Sequence, residues 1–511
     1  MLDMNSIASW IIVIMGWMAG VVMLWLFIMF LQDIFQKEHT VRRNFPVIGR
    51  LRYFLEHQGE YFRQYFFAND REELPFNRAT RAWVYRTAKG LGGLVGFGSV
   101  HDVREPGSFI FVNSPYPMLD DECTPAFPVI IGPNCAKPFV AKKIFNISGM
   151  SYGAISAPAV KALARGAAES GVWFNTGEGG LSPYHLEGNC DLIFQIGTAK
   201  YGVRDEAGAL SEAKLREIGA QVKAFEVKLA QGAKPGRGGV LPALKVTAEV
   251  AKIRGIAAGK ISKSPNRHLD IKNNSDLLAT IDRIRRITGR PVGFKTVVSA
   301  PESLHELCEL IHRFGIDSAP DFITVDGGDG GTGAAPQVLA DHVGLPLDEA
   351  LPMLVDILVE YGLREQIRVV ASGKLLTSAR VAWAMCMGAD FAVSARGFMF
   401  ALGCIQSLQC HQDTCPTGIT THNKRLQKGL VVSDKAKRVA TYAHWVNHEV
   451  DALAHSCGLT HARKFTRQHV RIVQSAGHSV ELDKLYPYPL SKYGMANEIR
   501  DVVVKDITKS A

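Results

Sequence analysis

The run "CIQSLQCHQDTC" (residues 404–415) places three of the chain's nine cysteines within twelve positions. A disulfide between any two of Cys404, Cys410 and Cys415 would leave one thiol over. A tetrahedral zinc site would need a fourth ligand, for which His411 is poorly placed beside Cys410. Three thiolates suit an iron–sulfur cluster with one corner missing; three cysteines packed as small apolar side chains are the plainer alternative. Cys123, Cys135, Cys190, Cys308, Cys386 and Cys457 show no paired spacing, as expected in a reducing compartment.

A second set of chemically capable residues stands at the ends of short apolar runs. It comprises Ser151, Thr176, Glu178, Gln195, Lys228 and Lys295. To these add Gly330 and Gly331 in "DGGDGGTGAAP" (326–336), Ser372, Gly373 and Lys374 in "ASGK" (371–374), and Ala395 and Arg396 in "SARG" (394–397). Glycines, lysines and amides in this combination suit a large, flat, anionic ligand. The "ASGK" turn can aim backbone N–H groups at an anion, and "SARG" leads into a helix whose N-terminal dipole attracts one, so both point to phosphate. Lys295 or Lys228 beneath a ring would stabilise negative charge at the N1–C2=O edge of a reduced flavin. Either lysine alone would more often be a solvated surface charge, but both are embedded in apolar runs.

The elements that position these residues are eight runs, mostly followed by helical stretches: "KIFNISG" (143–149), "VWFNTG" (172–177), "DLIFQIG" (191–197), "AFEVKLA" (224–230), "PVGFKTV" (291–297), "DFITVDG" (321–327), "IRVVASG" (367–373) and "FAVSARG" (391–397). Strands alternating with helices imply parallel pairing, and eight such units predict an α/β fold, a (β/α)8 TIM barrel with its active face at the strand ends. A doubly wound sheet is the alternative, disfavoured because no early strand leads into a G-x-G-x-x-G turn.

Residues 7–31 carry no charge over twenty-five positions. As a helix this segment is about 37 Å long, enough to span a bilayer with some tilt. A cleaved signal peptide fits less well, because the segment lacks a basic leader and exceeds the usual signal core. Lys37, Arg42, Arg43, Arg50 and Arg52 follow it, which places the catalytic part on the cytoplasmic side of the inner membrane as a single-pass protein. Residues 48–68 alternate aromatics with Arg and Glu at near-helical spacing and read as an amphipathic segment that packs into the domain or lies on the membrane. The expected divisions are an anchor (1–36), a juxtamembrane and pre-barrel segment (37–140), the barrel with its cysteine motif (141–425) and a C-terminal helical extension (426–511). The net charge of +9 includes no long basic run interleaved with aromatics, so nucleic acid is not an expected partner.

Together these motifs resemble the flavin-binding synthase domain of the glutamate synthases. The matching text is "GMSYGAIS" (149–156), "NTGEGG" (175–180), "QGAKPGRGGVLPALKV" (231–246), "SPNRHLDI" (264–271), "DGGDGGTGAAP" (326–336) and "GCIQSLQCHQDTCPTGITTH" (403–422), within a similarity running from about residue 70 to 470. The resemblance implies FMN as cofactor and makes Cys404, Cys410 and Cys415 the ligands of a 3Fe-4S cluster. It implies reduction of 2-iminoglutarate, formed from 2-oxoglutarate and ammonia, to L-glutamate. Lys234 would face the substrate, Glu178 would lie beside the flavin, and Arg254 would grip a substrate carboxylate with two parallel bonds. A helix-surface role for Arg254 is the plain alternative.

Three departures from that family's pattern qualify the expectation. The chain opens on an apolar segment where the large synthases carry a glutaminase with a nucleophilic cysteine, so this chain is not expected to hydrolyse glutamine. Val240 stands where the family has the glutamine of "GGQLP", and Leu269 replaces the second histidine of "HHD". A larger amine or another 2-oxo acid is therefore possible, as in the related N-methylglutamate synthases. No NAD(P)H fingerprint is visible, which leaves a ferredoxin-like or membrane-bound carrier as electron donor. Two rival readings are a non-catalytic flavin and iron–sulfur electron-transfer subunit and a phosphate-binding barrel without flavin. The sequence carries no signal of oligomeric state.

Overall fold

The structure is a computed structural model that describes residues 4–94, 96–119, 121–475 and 477–492. The chain forms two compact units, one ending at Arg81 and the other beginning at Ala82.

The first unit is built on the helix Met4–Phe35. Its stretch Ala8–Phe35 has a mean hydropathy of 2.5, long and apolar enough to cross a membrane. Near its end Asp33 is buried and takes Arg42 Nη2 and Arg50 Nε, each at 2.8 Å, together with the Val47 N–H at 2.9 Å. One carboxylate thus pins the turn that follows the helix. The amphipathic segment forms the helix Gly49–Phe62, continued by a wider π-turn, Arg63–Phe67. Leu51, Phe54 and Leu55 are each more than half exposed, and Phe66 and Phe67 are 75% and 78% exposed. The stripe has the expected helical periodicity, and its apolar side chains stand exposed.

In the second unit, eight strands close a parallel barrel: β1 (Phe145–Ile147), β2 (Phe174–Asn175), β3 (Leu192–Ile196), β4 (Ala224–Lys228), β5 (Val292–Thr296), β6 (Phe322–Asp326), β7 (Arg368–Ser372) and β8 (Phe391–Ser394). Each run expected from the sequence supplies one strand, and β8 closes on β1 with Val393 opposite Asn146. The strands are buried on both faces, which is why they read as nearly continuous apolar runs rather than alternating ones. An antiparallel hairpin, Val129–Ile131 with Phe139–Ala141, seals the amino end of the barrel. Its Val129, Ile131 and Phe139 pack with Trp173, Phe322 and Phe391 at the starts of strands.

The first barrel helix, Ala157–Ser170, begins at Ser156, whose side chain accepts the Ala159 N–H, and stops at Gly171 with φ 71°. It lies against the long helix Val432–Ser456. At their crossing a Cβ on Gly166 would come within 2.6 Å of the Ala436 carbonyl, so only glycine admits the approach. The C-terminal extension is not wholly helical. Val470–Val473 and Ser479–Glu481 form a small antiparallel sheet with Phe109–Phe111, and residues 493–511 lie outside the described residues.

Candidate active site

The loops after β1, β2, β4, β6 and β8 surround a cleft at the carboxyl end of the barrel. Its lining includes Ser151, Glu178, Gln195, Lys228, Lys234, Arg254, Gly331, Ala395, Arg396 and Cys410, residues far apart in the sequence that the closed barrel gathers at one rim.

Glu178 follows the tight turn at Gly177 and pairs with Lys228 Nζ at 3.2 Å. Burial works against its ionisation, but Lys228, Lys234 and Arg254 outweigh that cost and hold its pKa below the usual carboxylate range. Space for this side chain depends on two glycines. A Cβ on Gly197 would lie 2.6 Å from Glu178 Cβ, and one on Gly239 would collide with Glu178 Oε1. Lys234 is 7% exposed and forms no ion pair with a described residue; burial lowers its pKa, Glu178 opposes that fall and Lys228 adds to it. Arg254 ends the helix Ala248–Arg254 and is buried, with its guanidinium 5.1 Å from the Tyr201 ring centre. Its Nε has no hydrogen-bond partner among the described residues, so the helix-surface alternative does not hold. Burial also lowers the pKa of Arg254.

Other expected site residues lie elsewhere. Lys295 Nζ pairs with Asp326 Oδ2 at 3.1 Å, and Asp326 also accepts the Ser372 hydroxyl at 2.6 Å and the Gly232 N–H at 2.8 Å. This carboxylate ties β5, β6, β7 and the loop after β4 together below the cleft. Burial disfavours the charge on Lys295, but Asp326 and Glu226 raise its pKa overall. Thr176 is fully buried and accepts the Gln195 N–H at 3.2 Å, Lys374 pairs with Asp329 at 3.5 Å, and Gly330 and Gly373 belong to the turns beside them. None of these lines the cleft. Arg396 donates to the Thr332 carbonyl and, at 3.8 Å, to Cys410 Sγ.

In the cysteine loop, Cys404 and Cys415 are buried and Cys410 is half-buried. Burial, partly offset by Arg396, pushes the Cys404 thiol up to about 11. Burial also opposes ionisation of Cys415, but hydrogen bonds outweigh it and lower the pKa; they include the Thr417 hydroxyl at 3.3 Å and the Thr417 and Thr420 N–H groups. Donors aimed at sulfur are what a thiolate ligand requires, so the surroundings of Cys415 fit a cluster ligand. Among the described residues, no three His, Cys, Asp or Glu side chains are already gathered as a metal site.

Three cleft or near-cleft residues are not singled out by the sequence motifs. Lys245, 2% exposed, donates at 3.0 Å to both the Ala154 and Cys410 carbonyls, linking the loop after β1 to the cysteine loop. Tyr201 stacks on Arg254, and Glu226 lies within the barrel. The lysine in "LPALKV" and the glutamate in "AFEVKLA" carry a signal of their own, as charges in apolar text. Of the two residue substitutions among the three departures, Val240 lines the cleft, whereas Leu269 is 70% exposed and does not.

A closed parallel barrel with cationic and carboxylate side chains converging at its carboxyl end defines a (β/α)8 enzyme. A family model described as the conserved region in glutamate synthase matches residues 117–460, and the chain belongs to that family, as an oxidoreductase of the glutamate synthase type. The Bacillus subtilis glutamate synthase large subunit-like protein YerD is 41% identical over 497 residues, 89% of this chain and 94% of that protein. A glutamate synthase large subunit-like protein of Rhizobium meliloti is 30% identical over 76% of this chain and 90% of its own length. The archaeal glutamate synthase (NADPH) of Methanocaldococcus jannaschii is 36% identical over 61% of this chain, which spans 58% of that protein. Among solved structures, a mandelate oxidase is similar over 77% of this chain at 18% identity and a TM-score of 0.44.

Proposed function

We propose that this protein reductively aminates a 2-oxo acid, 2-oxoglutarate to L-glutamate, with ammonia or an amine, using FMN and a 3Fe-4S cluster. The observation that carries the reading is the convergence of buried Lys234 and Arg254 on one cleft, with Arg254 Nε left without a partner among the described residues. Two fixed cations suit the two carboxylates of a dicarboxylic oxo acid, and holding both ends aligns the carbon between them. Glu178 limits the charge of this cationic group, and Gln195, Lys228, Gly331 and Arg396 form a floor and rim suited to a flat anionic cofactor. Bound there, FMN would supply hydride. Cys404, Cys410 and Cys415 would hold the cluster, with one-electron chemistry fed by a ferredoxin-like or membrane-bound donor. The helix Ala8–Phe35 would anchor the chain in the cytoplasmic membrane, with the barrel in the cytoplasm.

Val240 favours a second reading, an amine-transferring enzyme of the N-methylglutamate synthase kind. An apolar side chain lines the cleft where the family resemblance expects an amide, which leaves room for an alkylated nitrogen donor. Anaerobic assay of the solubilised protein with chemically reduced flavin, against a panel of oxo acids and amines with product identification, separates the two. Turnover of no oxo acid with any amine would leave an electron-transfer subunit in their place.

A further inference from the structure

Glu226 lies in the middle of β4, 3% exposed. Its Oε1 accepts Gln195 Nε2 at 2.6 Å and Asn175 Nδ2 at 2.9 Å, and its Oε2 accepts the Thr324 hydroxyl at 2.7 Å. It lines a small void inside the barrel, with Lys295 and Thr324, and does not line the cleft. Gln195 does line the cleft.

A side-chain amide has a donor end and an acceptor end of nearly equal shape, and its neighbours decide which way it faces. Both oxygens of Glu226 are already engaged as acceptors. The end of Gln195 that meets Glu226 must therefore be its NH2 group, and the carbonyl oxygen is left for the other side. The same logic fixes Asn175, whose Oδ1 accepts the Gly177 N–H at 3.0 Å and so holds the turn that carries Glu178.

We propose that Glu226 is a positioning residue: by accepting both amides it commits Gln195 to present a hydrogen-bond acceptor to the bound ligand, selecting a flat ring edge that bears an N–H. This rests on the FMN reading, in which the ring edge is the N3–H flanked by two carbonyls. Glu226 itself touches no ligand and acts through Gln195 and Asn175.

The test is a double-mutant cycle on FMN affinity, read by quenching of flavin fluorescence on cofactor-stripped full-length protein. Glu226→Met and Gln195→Met should each weaken FMN binding about ten-fold, the order expected for one lost hydrogen bond to a buried group. The double variant should be no weaker than either single one. Glu226→Gln should bind like the parent, because its Oε1 still accepts both amides while the Thr324 hydroxyl takes the new N–H. Parent-like affinity in Glu226→Met, or an additive loss in the double variant, would overturn the proposal. If Glu226→Met does not fold, Gln195→Glu should bind FMN more weakly than Gln195→Met at alkaline pH, where both carboxyls are ionised, and recover as pH falls and a shared proton restores the donor; parent-like binding at every pH overturns it equally. The same cycle on denaturation midpoints separates the two layers. Coupling there, with no FMN uptake by the parent, would sink the flavin reading and leave the positioning role; absence of coupling in both measurements removes the positioning role.

Discussion

Glu178 and Lys228 face each other at 3.2 Å across the floor of the cleft, and this pair sits beside two further cations, Lys234 and Arg254. The carboxylate is worth more to the protein than one ion pair, since it is the negative group that makes three clustered positive ones tolerable.

Replacing Glu178 by Gln should therefore destabilise the barrel by about 3 kcal/mol at neutral pH, the order expected when one partner of a buried pair is removed. The pH dependence has a definite sign. A carboxylate whose folded pKa is lowered contributes its full stability above the ordinary carboxylate range and loses it as pH falls through the folded value. Urea denaturation should show the parent and Glu178→Gln converging at acid pH and furthest apart near neutrality. A gap that stays constant from neutral to acid pH would contradict this account.

Lys234→Ala and Arg254→Ala should each lose roughly ten- to 150-fold in affinity for the oxo acid, corresponding to about 1.5–3 kcal/mol for a charge-assisted contact. Flavin content should stay at the parental level. The measurement is reoxidation of reduced flavin by oxo acid and amine in stopped flow, and parental rates in both variants would count against the substrate assignment.

Cys410→Ser should lose iron and sulfide while the barrel keeps its far-UV circular dichroism, because the cysteine loop follows the last barrel strand rather than forming part of it. Iron content equal to the parent's would remove Cys410 from the ligand set.

Val240→Gln restores an amide to the cleft wall. It should raise the kcat/KM ratio for ammonia over methylamine, read by product identification. An unchanged ratio would mean that Val240 does not govern the choice of amine.

Deleting residues 1–36 should move the protein from the membrane pellet to the soluble fraction. Retention in the membrane would point to the exposed aromatics of Gly49–Phe67 as a second attachment.

The eight strands are legible in the sequence because a parallel strand buried on both faces is mostly apolar, and most of the runs end in Gly or a polar residue where the chain turns out of the barrel. The family motifs likewise contain Lys234 and Glu178, whereas Arg254 stands outside the quoted motifs and reaches the cleft through the helix Ala248–Arg254. Side-chain direction is not legible. Lys295 and Ser372 stand at strand ends just as Lys228 and Ala395 do, yet Asp326 draws both into the barrel, and the pairing of residues 295, 326 and 372 exists only once the strands are neighbours. The exposed aromatic stripe of residues 51–67 shows the same limit from the other side, for periodicity reports which residues share a face and not what covers it. Local sequence determined where the chain pleats, turns and carries charge, because those depend on neighbours a few residues away. The tertiary structure decided which charges meet, because ion pairs and hydrogen bonds form between side chains brought together from distant strands.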